Sequence, residues 1–352
     1  MRYNRREFAV KAVERVRQAV AKQTSGQASQ SQKTFESQRS SESQKTAKKT
    51  AKKTEHVLER TPKSLLIGTG MTLLGGAMWG MNSTVAKLLM RDYQLDPIWL
   101  SCVRALFASL IFLVGSAITT PQKLAGAIKD VKSYPKYLVT TLICVLLVQV
   151  SYLMTIDWTN SGTATVLQTL NLIFVLAWVC LRGKRLPLKR ELVGVLLAFA
   201  GTFLIATGGN FASLSLPWQG LAWGLIDAVS TAAMSILPVV LMLKWGNMTI
   251  NGITFLMSGL ILCPFAQPWS NIPALDARGV LLLLYTIVCG TFFAFWLYMA
   301  GVMRVGAVRA TMLGTSEPVM ATITAVAWAG ETFTFTDLTG FVMIIIMVFL
   351  VR

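Results

Sequence analysis

Apolar residues run along this chain in blocks long enough to cross a membrane, parted by short polar joints. The blocks cover roughly 65–88, 97–118, 136–155, 161–181, 190–208, 217–242, 249–267, 279–300, 306–329 and 336–351. A helix needs about 20 mostly apolar residues to span hydrocarbon. The joints carry turn residues, as at Asp96-Pro97, Arg182-Gly183-Lys184 and Gly208-Gly209-Asn210. The pattern predicts an all-α membrane protein of ten transmembrane helices. The fourth and ninth blocks are the richest in Thr and Gly.

The blocks also repeat. Residues 138–204, shifted forward by 146, fall on 284–350 without a gap. Tyr152 meets Tyr298, and Ala164, Thr165, Leu167 and Thr169 meet Ala310, Thr311, Leu313 and Thr315. Leu192 and Gly194 meet Leu338 and Gly340. Leu, Ala and Thr coincide easily in apolar sequence, but a paired Tyr and a paired Gly in one register are harder to obtain by chance. Ten spans then divide into two units of five, 64–208 and 209–352. Five is odd, so the second unit enters the membrane inverted. Duplication of this kind places a substrate site near the midplane between the halves.

Charge gives the orientation. With the N-terminus in the cytoplasm, the inner joints hold Lys123, Lys129, Lys132 and Lys136, then Arg182, Lys184, Arg185, Lys189 and Arg190, then Lys244, then Arg304 and Arg309. The outer joints hold only Arg91 and Arg278, with Asp92, Asp96, Asp157, Asp276, Glu331 and Asp337. Cytoplasmic joints of membrane proteins are enriched in Lys and Arg. A miscounted span would scramble this alternation, so both termini are expected in the cytoplasm of a multi-pass cell-membrane protein.

Composition changes the picture at the N-terminus. The whole chain is 54% hydrophobic and 14% charged, with a mean hydropathy of +0.56. Residues 1–63 nevertheless hold 16 Lys and Arg against 6 Asp and Glu. Residues 2–22 set Phe8, Val13, Val16 and Val20 among basic residues, a weakly amphipathic pattern. Residues 24–54 are Ser, Gln, Thr and Lys, too polar to offset their ordering entropy by burial. Residues 1–63 therefore read as a disordered basic cytoplasmic tail that fixes orientation or touches anionic lipid. No aromatic interleaving points to nucleic acid, and residues 1–24 lack the apolar core of a secretory signal.

Several chemistries are excluded. Cys102, Cys144, Cys180, Cys263 and Cys289 are scattered through apolar blocks, without metal-ligand spacing or a disulfide framework. The single histidine, His56, lies in the tail, so no histidine serves an intramembrane catalytic site or proton relay. No Gly-x-x-x-x-Gly-Lys-Ser/Thr loop is present to hold a nucleotide. Neither a cofactor, a metal nor an enzymatic reaction is expected.

Several short motifs now align with a known family. They are Trp79-Gly80-Met81-Asn82 in the first span, Asp96-Pro97 and Arg104 in the second, and Ala164 to Asn171 in the fourth. The second half adds Gly220 to Ser230, Tyr298, Gly306 to Pro318 with its Glu317-Pro318 pair, and Gly330-Glu331 followed by Gly340. In this order and spacing, residues 64–352 resemble the drug/metabolite transporter superfamily, and within it the ten-helix EamA-type permeases. The resemblance implies a secondary carrier, often an exporter of amino acids or similar small metabolites. One departure is Leu172, where the family usually has Pro after Asn171; an acidic residue usual near Arg185 is also missing. The first-half span is therefore expected to be straighter than its counterpart at Pro318.

Ionisable and amide groups at membrane depth are the candidate site, because each costs a few kcal/mol unless it has a partner, a water-filled cavity or a function. Trp223, Asp227 and Ser230 share one helical face. Asp227 is either a cavity carboxylate for a cation or coupling proton, or a helix–helix hydrogen bonder to Ser or Thr. Glu317, beside Pro318, is either a second cavity carboxylate with gating duty or the ion-pair partner of Arg104 or Arg309. Arg104 is either structural or the contact for a substrate carboxylate, while Lys87 is expected to snorkel to the interface. Trp79, Asn82, Gln149, Tyr152, Gln168, Asn171, Trp296 and Tyr298 supply aromatic and amide surface. Tyr152 and Tyr298, as repeat mates, are expected on opposite sides of one cavity. Trp99, Trp158, Trp218 and Trp269 read as interfacial anchors.

The expected partners are a small-molecule substrate, membrane lipid and, with either carboxylate, a coupling proton. The competing reading is a non-transporting scaffold or receptor that acts through the basic tail. Substrate, direction, coupling ion and oligomeric state are not written in these patterns.

Overall fold

Hydrocarbon offers no partner to a backbone N–H or C=O, so a chain crossing it must close its hydrogen bonds internally. Every regular element among the described residues is accordingly a helix. The computed structural model describes residues 62–184, 186–207, 216–270 and 272–350. The tail over residues 1–61, Arg185 and the joint at 208–210 lie outside the described residues.

Among the described residues, thirteen helical segments succeed one another. They are α1 (Pro62–Asp92), α2 (Pro97–Thr119), the short α3 (Pro121–Lys129), α4 (Val131–Trp158), α5 (Ser161–Gly183) and α6 (Lys189–Thr207). The second half contains α7 (Trp218–Met234), α8 (Val239–Trp245), α9 (Asn247–Ala266), α10 (Ala277–Val305), α11 (Ala307–Leu313), α12 (Ser316–Thr324) and α13 (Phe335–Leu350). A last turn, Ala325–Ala329, prolongs α12. Six of these helices, α1, α2, α4, α5, α9 and α10, are long and apolar enough to cross a membrane. A seventh span results if α7 and α8 are one broken helix. The remaining apolar helices, α6, α11 with α12, and α13, stand where three further spans are predicted.

Two expectations about continuity change. The sixth block is not one rod, because α7 and α8 meet at a 40° bend. Pro238 has no N–H to continue the ladder, and Ile236 N turns back to Ala233 O at 3.0 Å, three residues away. Nor is the fourth block more regular than the ninth. Leu170 N bonds Leu167 O at 3.0 Å and Leu172 N bonds Thr169 O at 3.2 Å, both tightened steps of three. The Thr169 hydroxyl donates to Thr165 O at 2.9 Å, the back-bonding that bends helices. The ninth block tightens in the same place, with Glu317 N on Gly314 O at 2.9 Å. Leu172 in place of proline therefore does not preserve an uninterrupted α-helix.

The 146-residue spacing recurs in the backbone. Wide π-type turns occupy Thr140–Leu147 and Val288–Phe293. Left-handed residues end the matching segments, at Lys184 (φ 48°) and Gly330 (φ 69°). The packing has the same exchange built in. Helix α1 packs on α10 and α12, while its counterpart α7 packs on α4 and α5. Helices α2 and α9 pack together, as do α6 and α13.

Helix ends are capped with polar groups held within the protein. Asp96 accepts from Ile98 N at 2.8 Å and Trp99 N at 2.9 Å, and Asn160 accepts from Thr163 N at 2.8 Å. Lys87 does more than snorkel. Its ammonium donates to Ile156 O at 2.9 Å and Thr159 O at 3.0 Å, where the end of α4 leaves carbonyls free and negative. Arg91 does the same for Ala329 O at 2.9 Å. Trp99 is buried among α2, α4 and α9 rather than anchored at an interface; Trp158, Trp218 and Trp269 are exposed. The five cysteines are free thiols.

The crossing of α6 and α13 is a close one. A Cβ on Gly201 would lie 2.8 Å from Gly340 O, and one on Gly340 would lie 2.7 Å from Gly201 O. Each glycine makes room for the other's carbonyl, the close approach that small residues allow in membranes. Gly201→Leu should therefore lower the thermal midpoint in detergent, by the equivalent of about 1–3 kcal/mol of overpacking. Gly70→Leu, where a Cβ meets nothing within 4 Å, should leave it unchanged. Equal effects at both positions would refute the crossing.

Candidate functional site

Two helices bring the site together because their backbones depart from regular α geometry beside it, and a third because it approaches closely. In α10, the π-type turn brings the Thr291 hydroxyl back to Thr286 O, five residues earlier. Thr291 Oγ1 donates there at 2.8 Å and accepts in turn from Arg104 Nε at 3.0 Å. In α4, the π-type turn ends just before Gln149 and Tyr152. Gly80 lets α1 lie directly against the Glu317 carbonyl at the start of α12. Trp79 and Asn82 of α1 are thereby set beside Glu317.

The result is a cavity with about 30 Å³ of room for the centre of a water molecule, enough for about two waters. Its polar wall is Trp79, Asn82, Arg104, Gln149, Tyr152, Gln168 and Glu317. Val148, Met234 and Phe295 close it with apolar surface. A second cavity, with about 20 Å³ of the same room, is lined by Asn171, Tyr298 and Pro318 together with Thr165, Thr169, Thr231, Thr311 and Gly314. Trp79, Gln168 and Glu317 line both and form the partition.

What marks the first cavity is unfinished hydrogen bonding. Trp79 Nε1, Asn82 Oδ1, Arg104 Nη1, both amide atoms of Gln149 and the Tyr152 hydroxyl are buried without a hydrogen bond of good geometry. A buried polar atom left unpaired costs about 1–3 kcal/mol, more if charged. Such groups are few in native proteins, yet here they converge on one space. The arrangement can bind a small polar molecule. It offers the Arg104 guanidinium, the Glu317 carboxyl, amide donors and acceptors, and the aromatic faces of Trp79 and Phe295, whose centroids lie 4.7 Å apart.

Of the residues singled out from sequence, Trp79, Asn82, Arg104, Gln149, Tyr152, Gln168 and Glu317 meet at this cavity. Tyr152 and Tyr298 do not share one cavity; they lie on either side of the partition, with Tyr298 4.7 Å from the Trp79 ring. Asp227 is away from both walls. Its Oδ1 accepts from Ser151 at 3.3 Å and Thr231 at 3.5 Å, and Gln168 links it to the cavity through Thr231 at 3.2 Å. It is a helix–helix hydrogen bonder with only Oδ2 unpaired. Ser230 turns back to Ile226 O at 2.9 Å, and Trp223 is half-buried and lines neither cavity. Trp296 lines neither; its carbonyl accepts from Asn247 at 2.8 Å. The expected Glu317 ion pair is not formed with any described Arg or Lys.

Phe295, Met234 and Thr291 were not legible as site residues. One signal was available. Gly76-x-x-Trp79-Gly80 recurs as Gly220-x-x-Trp223-Gly224, which marks α1 and α7 as counterparts and draws attention to the helix face beside Trp79.

A bundle of apolar helices around an occluded polar cavity is the build of a membrane transporter, and the comparisons agree. The EamA-like transporter family matches residues 66–207 and again residues 218–352, and the chain belongs to that family. It is 31% identical over 279 residues to a Salmonella typhimurium protein named "Uncharacterized inner membrane transporter YicL", covering 79% of this chain and 93% of that one. An Archaeoglobus fulgidus protein, "Uncharacterized transporter", is 29% identical over 150 residues, 41% of this chain and 50% of its own length. A solved crystal structure aligns with a TM-score of 0.58 at 11% identity, over 82% of this chain and 96% of its own. At that identity the likeness is one of fold.

The unpaired groups give a direct test. Gln149→Leu removes two unsatisfied polar atoms in similar volume. It should leave the thermal midpoint unchanged or raise it by the equivalent of about 1 kcal/mol, while abolishing substrate binding. A large drop in the midpoint would mean that Gln149 serves the fold instead.

Proposed function

We propose that this protein is a secondary carrier of the inner membrane that exports small zwitterionic metabolites such as amino acids. The single observation behind this reading is the ring of unpaired buried groups with a guanidinium and a carboxyl on one cavity wall. Arg104 suits a substrate carboxylate, and Glu317 suits an ammonium group or a coupling proton. One guanidinium is too little for a polyphosphate. Trp79, with Asn82, Gln149 and Tyr152, supplies the orienting surface.

Transport proceeds by alternating access of two inverted five-helix halves, 64–208 and 209–352, with both termini cytoplasmic. The double family match, the backbone features 146 residues apart and the exchange of helix pairs favour this reading, as do the charges of the joints. The name of the Salmonella relative favours the inner membrane. The cavity is too small for a metabolite as it stands, which fits an occluded member of such a cycle. Tyr298, Asn171 and Pro318 would then line the substrate's route on one side of the Trp79–Glu317 partition. Asp227 tunes that route only through Gln168.

The deciding measurement is counterflow in reconstituted vesicles with a panel of labelled amino acids and related metabolites. Saturable exchange of at least one zwitterion is expected. Arg104→Gln and Glu317→Gln should each reduce it about tenfold or more, the scale of one hydrogen bond to a charged group. Deleting residues 1–60 should leave it intact. No saturable exchange for any compound would overturn the carrier, and a role lost with the tail alone would favour a scaffold.

A further inference from the structure

Two polar clasps stand at opposite ends of the bundle, and they are built alike. At one end Lys244, near the end of α8, donates to Asp130 Oδ2 at 2.5 Å. The next residue, Trp245, lies so close over Gly126 that a Cβ there would overlap its ring. At the other end Tyr93, just beyond α1, donates to Asp276 Oδ1 at 2.5 Å. Its ring covers Gly279, where a Cβ would sit 2.9 Å from ring carbons. In each clasp an aromatic ring from the end of one helix rests on a glycine, and an aspartate closes the bond beside it.

The two aspartates are 146 residues apart, the register of the repeat, so the likeness extends it beyond the helices themselves. Each clasp ties helices that carry the cavity. Tyr93 fastens the end of α1, which bears Trp79 and Asn82, to the start of α10, which bears Phe295. Lys244 fastens α8 to the segment that leads into α4, which bears Gln149 and Tyr152. Both carboxyls are held below the ordinary carboxylate range, Asp130 by its bond to Lys244 and Asp276 by its bond to Tyr93. Both are therefore charged near neutral pH.

We propose that these clasps are the two gates of the transport cycle, with Asp130 and Asp276 as the positioning residues that hold each end shut. This rests on the alternating-access reading above. With both clasps closed the cavity between them is shut from both faces, which accounts for its small size. Substrate reaches Arg104 and Glu317 only when one clasp opens and the other holds.

The test reads accessibility and needs no substrate, so it can fail while the carrier reading stands. All five native cysteines are replaced, and Gln149→Cys reports on the cavity. A membrane-impermeant maleimide is applied to spheroplasts and to inside-out vesicles. Asp130→Asn should raise labelling about threefold, within what an exposed pair can give, from the face that bears Asp130 alone. Asp276→Asn should do the same from the opposite face alone, and Asp130→Glu should restore the closed state. Should either Asn variant fail to insert, Gly126→Ala and Gly279→Ala open the same clasps by pushing the ring aside while keeping the charge. Increases from the same face for both clasps, from both faces for either, or from neither in folded protein would overturn the proposal.

Discussion

The rest of the structure depends on one constraint, that a polar group inside hydrocarbon has no water to return to. The protein meets it at many positions by local means. Threonine and serine hydroxyls turn back on their own helices, as Thr72 does to Gly68 O at 2.8 Å and Thr155 to Ser151 O at 2.7 Å. Helix ends that would leave carbonyls bare are met by Lys87 and Arg91 from α1. In the π-type turn of α10, the Thr291 hydroxyl likewise turns back to Thr286 O at 2.8 Å. Among the buried atoms left unpaired, those of Trp79, Asn82, Arg104, Gln149 and Tyr152 stand out because they line one cavity. They are the place where the fold has left work for another molecule.

That concentration arises from how the helices are broken. Regular helices turn side chains outward on a fixed period and satisfy their own backbones. A π-type turn shifts that period and re-aims the side chains beyond it, which is how Gln149 and Tyr152 come to face Arg104. The tightened steps near Thr169 and Thr315 act likewise on Gln168 and Glu317. Because the two halves share these irregularities at one spacing, the distortions meet near the centre instead of scattering. The price is lost regularity in four helices, and the cavity is what it provides.

The fold was largely legible in the sequence, since length and hydropathy decide where a chain crosses hydrocarbon. Arg104, Glu317 and Trp79 were legible too, because charge or a broken apolar run marks them wherever they point. Asp227 was left between two readings for the same reason. Its charge drew attention, but whether a carboxylate meets a cavity or a serine depends on the rotation of α7 and on Ser151 of another helix, which no periodicity within α7 encodes. Phe295 and Met234 were invisible because nothing in their type separates a cavity wall from core packing. Asp130 and Asp276 lie in one register with the repeat that begins at Leu138, yet the apolar pattern stops before them and hides the match.

The left-handed turns at Lys184 and Gly330 carry one more meaning. The backbone bends alike at both, but the letters around it differ: Arg182-Gly183-Lys184-Arg185 in one copy, Trp328-Ala329-Gly330-Glu331 in the other. Glycine is the easier residue at such a turn, and the first copy forgoes it for a cation. Under the inverted arrangement proposed above, two copies of one fold entering a bilayer in opposite senses need opposite instructions from the machinery that inserts them. On that reading, shape is what the copies share, and electric sign at this turn is what sets their two senses apart.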